Sequence, residues 1–515
     1  MRLRLSRRDV ALWRMIAAAL VVGAVVGLLV VGYRVLLAGG LALAEHGYAA
    51  IRDRPVFLLV WAPAAVIVGG LIHGVLRAVP TATGSGIPQI KGVLVYRLRM
   101  PAARTIAARF AAGGLGSVAG LSLGREGPCV QIGGAVGQLV SRPVRADDLE
   151  RDQLITAGSA AGLSAAFNAP LSGAVFTLEE LHRSFSPVVL LVAITAALSA
   201  DVTSAAVLGL DPVLRFGSAD RLPLSGYPWL LVLGAATGVV AVGTNRALVA
   251  GQRILGRLPA PARPLLALVV ALGAGLGAPV LLGGGDGLVD LARTGAAPLL
   301  LLAALALGKV LFTATSFGSG APGGVFMPLL AVGALTGAAF AQVTGRPGSA
   351  TSALVLCGMA GVLSGALQAP VTAILLVLEM SGQVSAMLPA AVCALTALLV
   401  ADLLRGRPLY DVLLERLLAG WQEDTGTTGG AVLALTVEPR SAADGASVQE
   451  LTLPEGVRLV EVRRGLGTME PSGETVLRTG DRVVVAVPSS GTRALRQVRA
   501  AARTVFHTPD LRRPD

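Results

Sequence analysis

Gly124-Arg125-Glu126-Gly127-Pro128 (GREGP) sets a charged pair between glycines inside a chain that is otherwise nearly continuous apolar sequence. An ionisable residue at membrane depth is costly and marks a functional position by default. A degenerate copy, Gly324-Val325-Phe326-Met327-Pro328, follows at an offset of 200 residues. The same offset relates Gly133 and Gly137 to Gly333 and Gly337, Ser164 to Ser364, Ala169-Pro170 to Ala369-Pro370, and Leu178-Glu179 to Leu378-Glu379. A constant, gap-free offset over about 50 residues identifies a duplication. Two related halves with Gly/Pro-interrupted apolar segments suit a transporter whose site lies at the repeat interface near mid-bilayer. A soluble solenoid would show more and shorter repeats.

Composition agrees. Of 515 residues, 54% are hydrophobic and 14% charged, and the mean hydropathy is +0.71, against about 25% charged residues in soluble domains. Leu12 to Leu37 and Val56 to Leu76 are long enough to span a hydrocarbon core of about 30 Å. Later apolar segments are shorter or broken, which a membrane tolerates only where protein or a cavity surrounds them. The expected fold is therefore an all-α polytopic membrane domain of many tilted and half-length helices. The net charge of +12 does not point to nucleic acid, because the basic residues gather at span ends without an aromatic-interleaved stripe. The basic run from Met1 to Arg8 reads as a positive-inside flank, with both termini cytoplasmic and no cleavable signal. Cys129, Cys357 and Cys393, and the histidines at 46, 73, 182 and 507, form no metal or redox spacing; the thiols read as packed core. No nucleophile–base pair, metal cluster or nucleotide loop appears, so neither an enzyme nor a cofactor is expected.

Three loops read as helix starts. Gly84-Ser85-Gly86-Ile87-Pro88, GREGP and Gly323-Gly324-Val325-Phe326-Met327-Pro328 each place proline in a first helical turn. Three N-termini aimed at one interior region would offer orphan N–H donors and partial positive charge to a desolvated anion. Dipoles and hydroxyls, in place of a full counter-charge, let an ion enter and also leave.

A composition break follows Tyr410-Asp-Val-Leu-Leu-Glu-Arg-Leu417. The reading divides the chain into a membrane domain at 1–420, with halves of roughly 50–220 and 228–417, a linker at 421–430, a small α+β cytoplasmic module at 431–505 and a tail at 506–515. In the module, Ala431 to Glu438, Val457 to Arg463 and Asp481 to Val487 read as strands, and Gly491 to Ala501 as a closing helix.

GSGIP at 84–88, GREGP at 124–128, GGVFMP at 323–328 and a late Tyr410 in RPLYDVLLER resemble, in order and separation, the CLC family of chloride channels and chloride/proton antiporters, of bacterial type. The resemblance covers roughly residues 12–417. It implies a homodimer in the cell (inner or plasma) membrane with a pathway in each subunit. It implies a central chloride held by the hydroxyls of Ser85 and Tyr410 and the amides of Val325 and Phe326, within the loops framed by Gly84, Gly86, Pro88, Gly124, Arg125, Gly127, Pro128, Gly324 and Pro328. Ser85, where other members carry proline, goes with chloride in preference to nitrate. Glu126 looks like the gating glutamate: ionised it can occupy an anion site, and protonated it loses that attraction.

In Phe176-Thr177-Leu178-Glu179-Glu180-Leu181 the resemblance assigns the internal proton glutamate to Glu180. The repeat sharpens this, since Glu179 has a mate in Glu379 whereas Glu180 faces Met380; the symmetric residue reads as structural. Gln89 and Lys91 stand where some bacterial members carry acids. If Lys91 lies near Glu180, it favours the ionised carboxylate. The C-terminal module, through LRTGDRVVV, resembles the C-terminal domain of RCK-type potassium-transport regulators (TrkA-C), which implies self-association or a small-molecule ligand. The leading reading is chloride/proton antiport with chloride, protons and lipid as partners. Beside it stand a passive voltage- or pH-gated chloride channel and a membrane sensor acting through the C-terminal module.

Overall fold

The computed structural model describes residues 7–96, 98–182, 186–216, 223–345, 349–425, 431–437, 441–453, 458–464, 467–469, 471–487 and 505. Its first eight α-helices are α1 (Arg7–Asp53), α2 (Leu58–Ala78), α3 (Ile87–Tyr96), α4 (Ala102–Val118), α5 (Glu126–Ser141), α6 (Asp148–Phe167), α7 (Pro170–Phe176) and α8 (Pro187–Leu208). The order then repeats as α9 (Tyr227–Gly256), α10 (Ala262–Gly277), α11 (Asp286–Thr294), α12 (Leu299–Gly318), α13 (Phe326–Val343), α14 (Ser349–Leu367), α15 (Pro370–Ser381) and α16 (Met387–Leu403), closed by α17 (Leu409–Thr425). Among the described residues, eight helices are long and apolar enough to cross a membrane, and the chain is a multi-pass membrane protein. Because α1 packs on α8 as α9 packs on α16, the structural repeat starts at α1, upstream of the boundary near residue 50 that sequence matching gives. Sequence identity between the halves fades there, while the packing does not.

Backbone chemistry explains why the halves keep their shape. α6 ends at Asn168 in the left-handed region (φ 52°) and α14 at Gln368 (φ 58°), each followed by an alanine and a proline at the first position of the next helix. Ser164 Oγ donates to the Ala197 carbonyl and Ser364 Oγ to that of Ala394, both at 2.8 Å. These bonds satisfy hydroxyls that lipid and apolar packing could not. Glycines bring backbones together: Gly133 of α5 lies on Gly158 of α6, and Gly333 of α13 on Gly358 of α14, so close that a Cβ would collide with the facing carbonyl. Cys129, Cys357 and Cys393 are buried free thiols, as expected of core packing.

The C-terminal module is a four-stranded antiparallel sheet in the order β1-β4-β2-β3, with β1 (Ala431–Thr436), β2 (Arg458–Arg464), β3 (Gly467–Met469) and β4 (Arg482–Val487). The three strands expected from the sequence are present, and the three-residue β3 is too short to carry a strand signal. Val462, Val483, Val485 and Leu477 form its core. Asp481, in the turn before β4, takes a two-pronged bond from Arg464 at 2.8 and 2.6 Å, and this carboxylate pushes the guanidinium pKa above its ordinary value. α17 runs through residues 421–425, which composition assigns to the linker; residues 426–430 and the expected helix at 491–501 lie outside the described residues.

Gly133→Leu is expected to abolish a monodisperse, folded protein. A backbone carbonyl blocks the new side chain, so the cost exceeds the roughly 1–3 kcal/mol of a tolerated overpacked core. Gly39→Leu, at a site with nothing within 4 Å, is expected to leave the size-exclusion profile unchanged.

Candidate functional site

The two degenerate loops meet directly. Gly124 N donates to Gly324 O at 2.8 Å and Gly324 N to Gly124 O at 2.7 Å, an isolated antiparallel bridge. Reciprocal contact of equivalent residues is what a two-fold relation produces, so the halves face each other in opposite orientations. From this bridge α5 and α13 both begin, at Glu126 and Phe326. These two first residues are themselves equivalent under the offset of 200 residues.

Glu126 is fully buried. Its Oε1 accepts from Phe326 N at 2.5 Å, and its carboxyl group presses on Gly124 and Gly324, where any side chain would displace it. The carboxylate thus sits where the opening turn of α13 presents an orphan amide, the place such a terminus offers an anion. Val325, also buried, precedes this turn as the residue before the helix. Tyr410, the second residue of α17, packs at a tilt against Phe326 with ring centroids 5.9 Å apart, and Phe176 meets the Phe326 ring edge-on at 5.8 Å. Ser85 lies against Gly127 in the first turn of α5 and beside the Tyr410 hydroxyl. Among the described residues, Ser85 Oγ, Tyr410 Oη and Glu126 Oε2 are buried without a well-formed hydrogen bond. Uncharged donors without protein acceptors suit an anion, and unmade bonds at such atoms are costly enough to call for a reason. Ser85, Glu126, Val325, Phe326 and Tyr410 are therefore brought together. Arg125 sits at the edge, its guanidinium 5.5 Å from the Phe167 ring.

Glu180 stands apart. It lies in a π-helical stretch, Thr177–His182, that continues α7, whereas the equivalent α15 is regular to its end. It is buried, and its Oε1 takes the Lys91 ammonium at 3.0 Å. The same ammonium reaches Asp411 Oδ1 at 2.8 Å, one residue past Tyr410. The proximity of Lys91 to Glu180, conditional in the sequence, is present. Glu179 does what its symmetry implies: it caps α15 through Val371 N at 3.1 Å, Thr372 N at 2.7 Å and Thr372 Oγ1 at 2.7 Å. Glu379 returns the same cap to α7 through Leu171 N at 3.0 Å, Ser172 N at 2.7 Å and the Ser172 hydroxyl.

Sequence reading missed Arg109. This fully buried side chain in α4 donates to the Gly84 carbonyl at 2.5 Å and to Gln131, while Gln131 binds Thr81 O at 2.9 Å. Together they fix the loop that carries Ser85, whose Gly84 (φ 67°) and Gly86 (φ 99°) are left-handed. The offset could have revealed it. Lys309 is its equivalent in α12, buried and bonded to Leu281 O at 2.9 Å and Gly283 O at 2.7 Å. Gly283 (φ 62°) and Gly285 (φ 111°) reproduce the loop geometry, so Gly284 stands where Ser85 does.

Opposed repeats of broken helices that meet at a buried carboxylate and two hydroxyls define a membrane transport protein. Residues 64–402 match the family described as voltage gated chloride channel, and residues 432–498 the TrkA-C domain. The chain belongs to the voltage gated chloride channel (CLC) family. It is 36% identical over 383 residues to the H(+)/Cl(-) exchange transporter ClcA of Vibrio campbellii, covering 70% of this chain and 81% of the relative. To the ClcA of Citrobacter koseri it is 34% identical over 437 residues, covering 81% and 91%. A solved structure of a slow cyanobacterial Cl-/H+ antiporter is similar with a TM-score of 0.73 at 30% identity, over 80% of this chain and 99% of that one.

The reciprocal caps generate a stability test. Glu179→Ala and Glu379→Ala are each expected to cost about 1–2 kcal/mol, lowering the thermal unfolding midpoint in detergent by similar amounts. Glu180→Gln, which leaves Lys91 its Asp411 partner, is expected to move the midpoint less.

Proposed function

We propose that this chain exchanges chloride for protons, as a homodimer in the cell (inner) membrane with cytoplasmic termini and one pathway in each subunit. Glu126 is the gate, Glu180 the internal proton glutamate, and Ser85, Tyr410 and the amides of Val325 and Phe326 hold the central chloride. The observation that carries this reading is the buried Glu126 carboxylate on the Phe326 amide, beside two hydroxyls that have no well-formed bond. Ionised, the carboxylate competes with chloride for the same donors. Protonated, it loses its charge and its hold on the amide, and an anion takes its place. Anion movement and proton movement then share one side chain. The relatives' names as exchange transporters support antiport, as does the similarity to a Cl-/H+ antiporter.

The Lys91–Glu180 ion pair favours the second reading, a passive chloride channel, because a glutamate held by an ammonium parts less readily with its ionised form. The TrkA-C-like module is proposed to serve self-association or ligand binding at the cytoplasmic side.

Purified full-length protein in liposomes, given a chloride gradient and no proton gradient, distinguishes the two. Uphill proton movement dissipated by a protonophore is expected; chloride efflux without it would make the protein a channel. Glu126→Gln and Glu180→Gln are each expected to keep chloride flux while proton movement falls to background, and sustained proton pumping in either would overturn its assignment. Tyr410→Phe removes one neutral donor, about 0.5–1.5 kcal/mol, so chloride affinity by calorimetry is expected to fall up to about tenfold.

A further inference from the structure

The end of α5 breaks two local rules at one place. The helix closes with Ala146 N on Ser141 O at 3.0 Å and Arg145 N on Arg142 O at 3.1 Å, the paired bonds of a Schellman motif. Its left-handed position belongs by preference to glycine. Here it is Arg145, at φ 51°. A few residues on, Arg151 lies in the opening turns of α6, where the helix dipole disfavours a cation. Local choices that oppose the fold mark functional positions when they coincide.

They coincide at a cavity. Arg151 and the buried Gln138 line both of two adjoining hollows, of about 490 Å³ and about 260 Å³. Arg99 opens onto the larger, with an apolar wall from Leu98 and Met100, and Arg142 and Arg145 onto the smaller. Among the described residues none of the four guanidiniums forms an ion pair or hydrogen bond. Of the nearby acids, Asp147 and Glu150 cap α6 reciprocally, Glu150 also binds Arg14, and Asp148 in the first turn of α6 is exposed. Favourable interaction with a helix C-terminus accounts for Arg142 and Arg145 but not for Arg99 or Arg151. Gln138 lies twelve residues along α5 from Glu126, so at 1.5 Å per residue the pocket is about 18 Å from the gate. Gln138 Nε2 ties it to the Met100 carbonyl at 3.1 Å, just beyond α3, the helix that carries Lys91.

We propose that this pocket binds a phosphate-bearing anion. Guanidinium forks take phosphate oxygens two at a time, a geometry that distinguishes phosphate from a spherical halide. Arg151 lines both hollows, with Arg99 on the larger and Arg142 and Arg145 on the smaller, so each hollow offers fork donors to a phosphate group, and the Leu98 and Met100 wall of the larger receives the rest of the ligand. The phosphate comes from a soluble compound or from the headgroup of an anionic lipid.

The test titrates detergent-solubilised full-length protein with inorganic pyrophosphate and, separately, with short-chain phosphatidylglycerol, following the thermal unfolding midpoint. The expected result is a saturable rise with at least one probe, with half-saturation moved at least tenfold higher by Arg145→Gln combined with Arg151→Gln. A response to pyrophosphate alone identifies a soluble phosphate, to the lipid alone a headgroup, and to both a site that needs only the phosphate. Arg145→Gly guards against misfolding, because it relieves the left-handed strain: it is expected to raise the probe-free midpoint while weakening the response. No saturable rise with either probe, or equal half-saturation in wild type and the variants, overturns the proposal.

Discussion

The reciprocal backbone pair of Gly124 and Gly324 sets the geometry on which the rest depends. Two amides and two carbonyls satisfy one another at a buried position, where an unmade bond is expensive. Both helices that open at the centre, α5 and α13, start two residues beyond it. Their N-termini are therefore aimed at the same small region as a consequence of one pairing, with no separate device needed to bring them together. Side chains are excluded at both positions, because the Glu126 carboxyl group occupies the space.

A second layer of reciprocity keeps the halves in register. Glu179 caps α15 and Glu379 caps α7, each through two backbone amides and a hydroxyl. A carboxylate at a helix N-terminus is favoured by orphan donors and dipole together, and here each half supplies the other's cap. The two short helices cannot slide without breaking charged bonds in both halves. Arg109 and Lys309 repeat the idea one level up, each holding a carbonyl of a glycine loop from within an apolar helix.

What was legible in the sequence was whatever the duplication printed twice. Constant offset exposed the loops, the Ala-Pro helix starts at 169–170 and 369–370, and the structural character of Glu179. Glu180 was legible as the residue without a mate. The boundary of the first half was not, because α1 and α9 share a packing role but little sequence. Arg109 escaped because a second arginine, one turn past Arg104 in an apolar helix, looks like any span-end charge until its partner carbonyl is seen. The pairing of Lys91 with Asp411 joins residues 320 positions apart, and no local pattern records a contact at that distance. Strand β3 had too few residues to alternate.

The residues proposed to handle chloride and protons stand where the symmetry fails. Ser85 has only Gly284 as its equivalent, Glu180 only Met380, and Glu126 only Phe326. The last difference is the most telling, because the two residues are in contact: the Glu126 carboxylate accepts from the amide of its own counterpart. A perfectly symmetric pair could not do this. Two glutamates would set like charges against one another, and two phenylalanines would leave two amides without an acceptor. Divergence at one position turned an equal pair into donor and acceptor. The bond so formed has a strength that depends on a single proton, since a neutral carboxyl group accepts more weakly than a carboxylate. The duplication built a rigid frame with helix termini aimed inward, and the loss of symmetry at three positions gave that frame a part that responds to charge.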